Sequence, residues 1–236
     1  MRELSELSGV ESPAWPELSR MCADSPLDVR VLPPAPEHPG RCLLRLQVSA
    51  GSYLGAVALE SGGILVDGGW LRIHGGGCAD LPGLDQVNGM TGEIGSVRPA
   101  RMVVAHDVLG GVFAVNGPES AGLGYPGAPG EMVYFAPDSL EWEPMEAGYS
   151  GWWTWLLAGH LGFFYETLRW PGWRAETADL HPSTGLAVYP FLWSEEAQAD
   201  LAATTRGPAP VAELVGANRE FCTSLGVADP GPLGAF

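Results

Sequence analysis

The sequence predicts an α+β fold, a mostly antiparallel β-sheet with helices packed on one side. Three observations carry this. Short apolar segments separated by glycine turns fill the middle of the chain, helical spacing marks both ends, and no internal repeat or clean linker divides it. A chain of 236 residues buries roughly 70% of its unfolded surface, enough for one core without metals or disulfides. The expectation is one domain over residues 1–236, in which 195–236 can form a C-terminal extension.

From the N-terminus, Leu4 and Leu7 open a helix, and Ser12-Pro13 restart it as cap and first-turn proline. Trp15, Leu18, Met21 and Cys22 then share one helical face until Asp24-Ser25-Pro26 stops it. A strand at Val29–Leu32 leads into the stiff connector PPAPEHPG. In RCLLRLQVS, residues Cys42, Leu44, Leu46 and Val48 alternate with polar neighbours, the period of two expected of a half-buried strand. SYLGAVALE, ILVD and WLRIH follow at turns of about two to four residues, which favours hairpins. Residues 75–100 read as a long glycine- and proline-rich loop. Strands resume at RMVVAH, GVFAVN and, past a second loop at 117–130, EMVYFA. Ser150 caps a tryptophan-rich helix, weakened at Gly159 and Gly162 and broken at Pro171-Gly172. The strand GLAVYPFLW and helices at 195–204 and 211–224 complete the chain.

Charge narrows the partners. The chain carries 28 acidic and 12 basic residues, every basic one arginine, for a formal charge of −16. Such a surface repels nucleic acid and anionic membranes and speeds encounter with a basic protein. Cys22, Cys42, Cys78 and Cys222 show no metal-ligand or disulfide spacing. No metal and no cofactor is expected. The charged N-terminus and the absence of an 18-residue apolar run point to the cytoplasm.

No pattern of catalytic residues stands out. The glycines of GGILVDGGWLRIHGGG form no GxGxxG or phosphate loop, and lysine is absent altogether. No GxSxG occurs either. Asp67, His74, His106 and Asp107 fall at strand ends and could meet as acid, base or metal ligands of a hydrolase. Both aspartates precede glycine turns, where a carboxylate caps local backbone, and this reading is preferred. Glu141, Glu143 and Glu146 are read as a solvated face of an extended segment. Seven tryptophans between Trp142 and Trp193 are read chiefly as core anchors. Trp152 and Trp153 are adjacent on a helix and point in different directions, so one of them is expected outside the deepest core. Trp152, Trp153 and Trp173, with the three glutamates, are therefore the candidate partner-binding residues. A carbohydrate platform of exposed indoles is the further alternative.

GGILVDGGWLRIHGGG, DVLGGVFAVNG, VYFAPDSLEWEPMEAGYSGWWTWLLAG, FYETLRWPGW and YPFLW, in that order, resemble a bacterial domain-of-unknown-function family, the one numbered 2625. The resemblance runs from about residue 10 to about residue 215 and implies no established activity. A more distant similarity is to the SUKH superfamily, carried by Asp107, Gly110, Phe113, Tyr134, Ser150 and Trp155. That similarity implies a SUKH-like α+β fold with a largely antiparallel sheet and an immunity-type role, binding a toxin delivered between bacteria. With the acidic surface, it suggests a protein partner such as a basic toxin, bound without catalysis.

Overall fold

The computed structural model describes residues 1–36, 39–95 and 99–236. Part of the connector PPAPEHPG and part of the loop at 75–100 lie outside the described residues. Helices α1 (Leu4–Ser8) and α2 (Trp15–Asp24) precede strand β1 (Val29–Leu32). Helices α3 (Pro39–Leu46) and α4 (Tyr53–Glu60) then lead to β2 (Gly63–Val66) and β3 (Leu71–His74). Helix α5 (Leu84–Val87) interrupts the long loop before β4 (Arg101–Asp107), β5 (Val112–Asn116), β6 (Glu131–Ala136) and β7 (Glu141–Gly148). Next come α6 (Tyr149–Trp155), α7 (Leu161–Phe164) and α8 (Trp173–Thr177). A separate hairpin, β8 (Thr184–Tyr189) and β9 (Thr205–Pro210), encloses α9 (Glu195–Ala199) and is followed by α10 (Val211–Leu225).

Strands β1 to β7 form one antiparallel meander in which each strand pairs with its neighbour in sequence. The fold is α+β, as expected. One face of the sheet presents Ile64, Val66, Leu71, Ile73, Phe113 and Tyr134 to the main core, against residues of α2, α3, α4, α6 and α7. The other face presents Val103, Val112, Ala114, Val133 and Phe135 to Val211, Val215 and Cys222 of α10 and to Leu233. Most helices thus lie on one side, while α10 and the C-terminal segment cover the second. Among the described residues, no helix is long and apolar enough to cross a membrane.

Two expected strands are helices. The alternation at 42–48 sits in α3, where Cys42, Leu43 and Leu46 are the buried positions, spaced i, i+1 and i+4. An eight-residue apolar stretch satisfies both periods, and tertiary packing selected the helical one. In α4, Ser52 is the cap, its hydroxyl accepting the Gly55 N–H at 3.1 Å. The small residues Gly55, Ala56 and Ala58 are buried there, and Gly55 lies so close to the Ser49 carbonyl that a Cβ would clash. The expected strand GLAVYPFLW ends at Tyr189, and its partner β9 was not foreseen.

Candidate functional site

The four candidate catalytic residues divide into three separate networks. A register shift in β4 between Val103 and Ala105 resets the alternation. His106 pairs with Arg72 and Asp107 with Leu71, and as adjacent residues of one strand they face opposite sides of the sheet.

Asp107 lies on the main-core face, fully buried. Its Oδ1 accepts the N–H groups of Leu109 (2.8 Å) and Gly111 (2.9 Å). Its Oδ2 accepts the hydroxyls of Tyr134 (2.8 Å) and Tyr165 (3.0 Å). Burial raises its carboxyl above the ordinary aspartate range, and these donors pull against that shift. The carboxylate ties a turn, a strand and a helical segment together. Each of its oxygens is engaged by two donors, which leaves no lone pair aimed at a substrate.

Asp67 is equally buried and sits between two guanidinium groups, Arg169 Nη2 at 2.7 Å and Arg174 Nη1 at 2.7 Å. Around them, Trp70 packs edge-on to Trp173 at 4.9 Å, and Arg169 stacks over Trp173 at 4.0 Å. Burial lowers the Arg169 guanidinium from its ordinary value, while Asp67 opposes that shift. The cluster clamps the segment after α7 onto the β2–β3 turn.

His74 and His106 do meet, on the second face, with His74 Nε2 3.1 Å from His106 Nδ1. His74 Nδ1 lies 2.9 Å from the Pro82 carbonyl and His106 Nε2 lies 3.4 Å from that of Pro182. Two neutral imidazoles supply two N–H protons for these three contacts. His74 Nδ1 donates to Pro82, His106 Nδ1 donates to His74, and the longest contact goes without a proton. Burial depresses His74 to about 4. It holds His106 well below the ordinary value, with His74 and Arg72 adding to the effect. Phe236 covers the pair, its ring 4.8 Å from His106 and 5.7 Å from His74. Neither aspartate joins them, so the proposed hydrolase quartet is not assembled. Among the described residues, no group of three or more histidine, cysteine or acidic side chains is placed to hold a metal ion.

The candidate partner-binding residues also separate. Trp152 and Trp153 are both fully buried, which corrects the expectation that one of them lies outside the core. Helix α6 is wedged between β6 and α4. Adjacent positions, about 100° apart on the helix, therefore both fall within its broad inward face. Trp173 is half-buried, with Arg169 and Arg174 both over its ring (4.0 and 4.4 Å). All nine tryptophans are buried or half-buried, so none stands exposed on the surface as a sugar platform would.

Glu141, Glu143 and Glu146, by contrast, are exposed on β7, an edge strand of the sheet. Beside them lies a groove of about 460 Å³ between β7 and the α6–α7 corner, lined by Glu143, Met145, Trp155, Phe163 and Phe164. The corner is shaped by Gly159, whose φ of 92° is left-handed. Phe163 is 84% exposed, and Trp155, half-buried, meets Phe164 edge-on at 5.4 Å. Partial burial raises the Glu143 carboxyl, and Asp138 and Glu141 add to the rise. The groove thus carries crowded negative charge that a cation would relieve, over aromatic rings that also attract cations. Sequence reasoning missed Trp155, Phe163 and Phe164 as groove residues. The adjacent pair Phe163-Phe164 was the available signal, since a four-residue helix on a surface buries one such ring and exposes the other.

Fold and groove define the class: an α+β domain built on an antiparallel meander, with an acidic, aromatic cleft along one sheet edge. Residues 4–214 match the family described as protein of unknown function DUF2625. The chain belongs to that family. It is similar to the putative uncharacterized protein YbfG of Escherichia coli, 40% identical over 201 residues, covering 84% of this chain and 89% of that protein. An uncharacterized protein of Haemophilus influenzae is 33% identical over 186 residues, covering 76% and 78% of the two chains. No solved structure matches the chain.

Proposed function

We propose that the protein is a non-enzymatic binding domain of the immunity type, acting in the cytoplasm, that holds a basic segment of a partner protein in the β7–α6–α7 groove. The observation that carries this reading is one groove lined by Glu143, the exposed ring of Phe163 and the half-buried ring of Trp155, with Glu141 and Glu146 exposed on the same strand. An arginine entering the groove would pair with Glu143 and stack on an aromatic face, two contacts that reinforce each other. The formal charge of −16 steers such a segment inward. The distant SUKH resemblance and this charge both favour a basic toxin as the partner.

The test titrates the protein with a synthetic peptide alternating arginine and leucine, and with the same peptide carrying glutamine for arginine. Expected is saturable, salt-sensitive binding of the arginine peptide alone. It should weaken by about tenfold in the Glu141→Lys/Glu143→Lys variant, and also in Phe163→Ala. Equal binding by wild type and the charge-reversed variant would defeat the reading. Any partner captured from lysate must lose its affinity in the same variants.

A further inference from the structure

On the second face of the sheet, the buried histidine pair underlies two turns that meet at the surface. His74 Nδ1 donates to the Pro82 carbonyl at 2.9 Å, and His106 Nε2 lies 3.4 Å from the carbonyl of Pro182. The first turn, between β3 and α5, is closed by the Cys78 N–H donating to the Leu81 carbonyl at 2.9 Å, and Leu81 is buried. The second, between α8 and β8, is closed by the Thr184 N–H donating to the His181 carbonyl at 2.8 Å. Its Ser183 carbonyl accepts the Val211 N–H at 2.9 Å. Pro182 is buried between exposed His181 and exposed Ser183.

At the tips of these turns three polar side chains form a line. His181 Nδ1 lies 2.8 Å from Ser183 Oγ, and His181 Nε2 lies 3.2 Å from Asp80 Oδ1. Two contacts fix the histidine tautomer. An ionised carboxylate only accepts, so Nε2 carries the proton toward Asp80. The Ser183 N–H donates to Nδ1 at 3.3 Å, so Nδ1 is the unprotonated nitrogen. Its lone pair is then shared with the Ser183 hydroxyl, the closer of the two donors. A hydroxyl donating to an imidazole that a carboxylate orients is the arrangement that activates serine as a nucleophile. The His181 and Asp80 side chains are 53% and 55% exposed, so an acyl donor can approach from solvent. The cluster shares no residue with the β7–α6–α7 groove.

We infer that Ser183 is an acylation site, taking the acyl group of a thioester or activated ester with His181 as base and Asp80 as the residue that positions it. Ser183 Oγ bonds to the carbonyl carbon as the bond from that carbon to the leaving sulfur or oxygen breaks. The hydroxyl proton passes to His181 Nδ1 and from there to the leaving group. The products are one serine ester and one free thiol or alcohol. The step modifies the chain and stands beside the binding role of the groove.

The experiment mixes the full chain with p-nitrophenyl acetate at neutral pH, follows nitrophenolate by absorbance, and locates the acetyl group by peptide mass spectrometry. The chain contains no lysine, so amine background is confined to the N-terminus. Expected is rapid release of one equivalent, with the acetyl group on Ser183. Ser183→Ala should abolish it, and His181→Gln should slow it by about a hundredfold. Asp80→Asn should slow it by about tenfold, with Asp80→Glu restoring most of the rate. These residues lie on exposed turns, so the unfolding midpoints of the variants should match wild type. His160→Gln, at an exposed histidine outside the cluster, should leave the rate unchanged. Acetylation of Cys78 or a tyrosine in place of Ser183, undiminished release by Ser183→Ala, or equal rates for Asp80→Asn and wild type would overturn the inference.

Discussion

Asp67 offers a controlled comparison, because two arginines at the same distance from it differ in exposure. The Arg169 side chain is 8% exposed and the Arg174 side chain 64%, and each approaches the carboxylate to 2.7 Å. Breaking a buried ion pair typically costs about 3–5 kcal/mol, whereas an exposed pair contributes about 0–1 kcal/mol. Arg169→Met leaves Asp67 paired with Arg174 and lets the methionine refill part of the volume, which offsets some of that cost. It also removes a cation from the rings of Trp173, Trp70 and Tyr165, and the balance is a loss of about 2–4 kcal/mol. Arg174→Met should cost less than about 1 kcal/mol. Urea unfolding followed by tryptophan fluorescence at pH 7 measures both, and repetition in 1 M salt should shrink only the Arg174 effect. Equal costs for the two variants would refute the argument that burial, not distance, sets the strength of this clamp.

Two other outcomes follow from buried groups. Tyr134→Phe removes one of four donors to Asp107 and should destabilise the fold by about 1.5–3 kcal/mol. Burial sets the folded pKa of Asp107 above its ordinary value, so this group favours the fold more as pH falls. The deficit of the variant should therefore narrow toward acid in parallel unfolding curves, and a deficit that widens would contradict it. For the histidine pair the sign is reversed. Both folded pKa values lie below the ordinary 6.5, so the unfolded chain takes up protons first as pH drops. Stability present above about pH 6.5 is then lost toward pH 4, by about 1.4 kcal/mol per pH unit for each histidine. Proton NMR of the imidazoles checks this directly: neither buried ring should titrate above pH 5, and titration near 6.5 would refute the arrangement.

Much of the fold was legible because glycine turns and β-branched runs punctuate the central strands. Ile64–Val66, Leu71–His74, Arg101–His106 and Val112–Asn116 all lie where their pattern put them. The stretch at 42–60 was not legible, since Cys42, Leu44 and Leu46 follow a two-residue period while Cys42, Leu43 and Leu46 share a helical face within the same eight positions. Strand β9, Thr205–Pro210, contains two prolines and a glycine, and its pairing with β8 supplies what its own sequence lacks. The glutamates of β7 were legible as an exposed face. The groove beside them was not, because it arises where α6 and α7 turn back on the sheet. The separation of His106 from Asp107 was available in the sequence, because adjacent residues of a strand face opposite sides of the sheet.

The meander also bears on how the chain assembles. Each pairing from β1 to β7 joins strands consecutive in sequence, so the sheet can grow strand by strand without a late strand threading between early ones. Loop closure costs least across the short β2–β3, β4–β5 and β6–β7 turns and more across the long β1–β2 and β3–β4 connections, so the short hairpins are expected to form first. This order also means that the C-terminal segment is laid down over a finished surface.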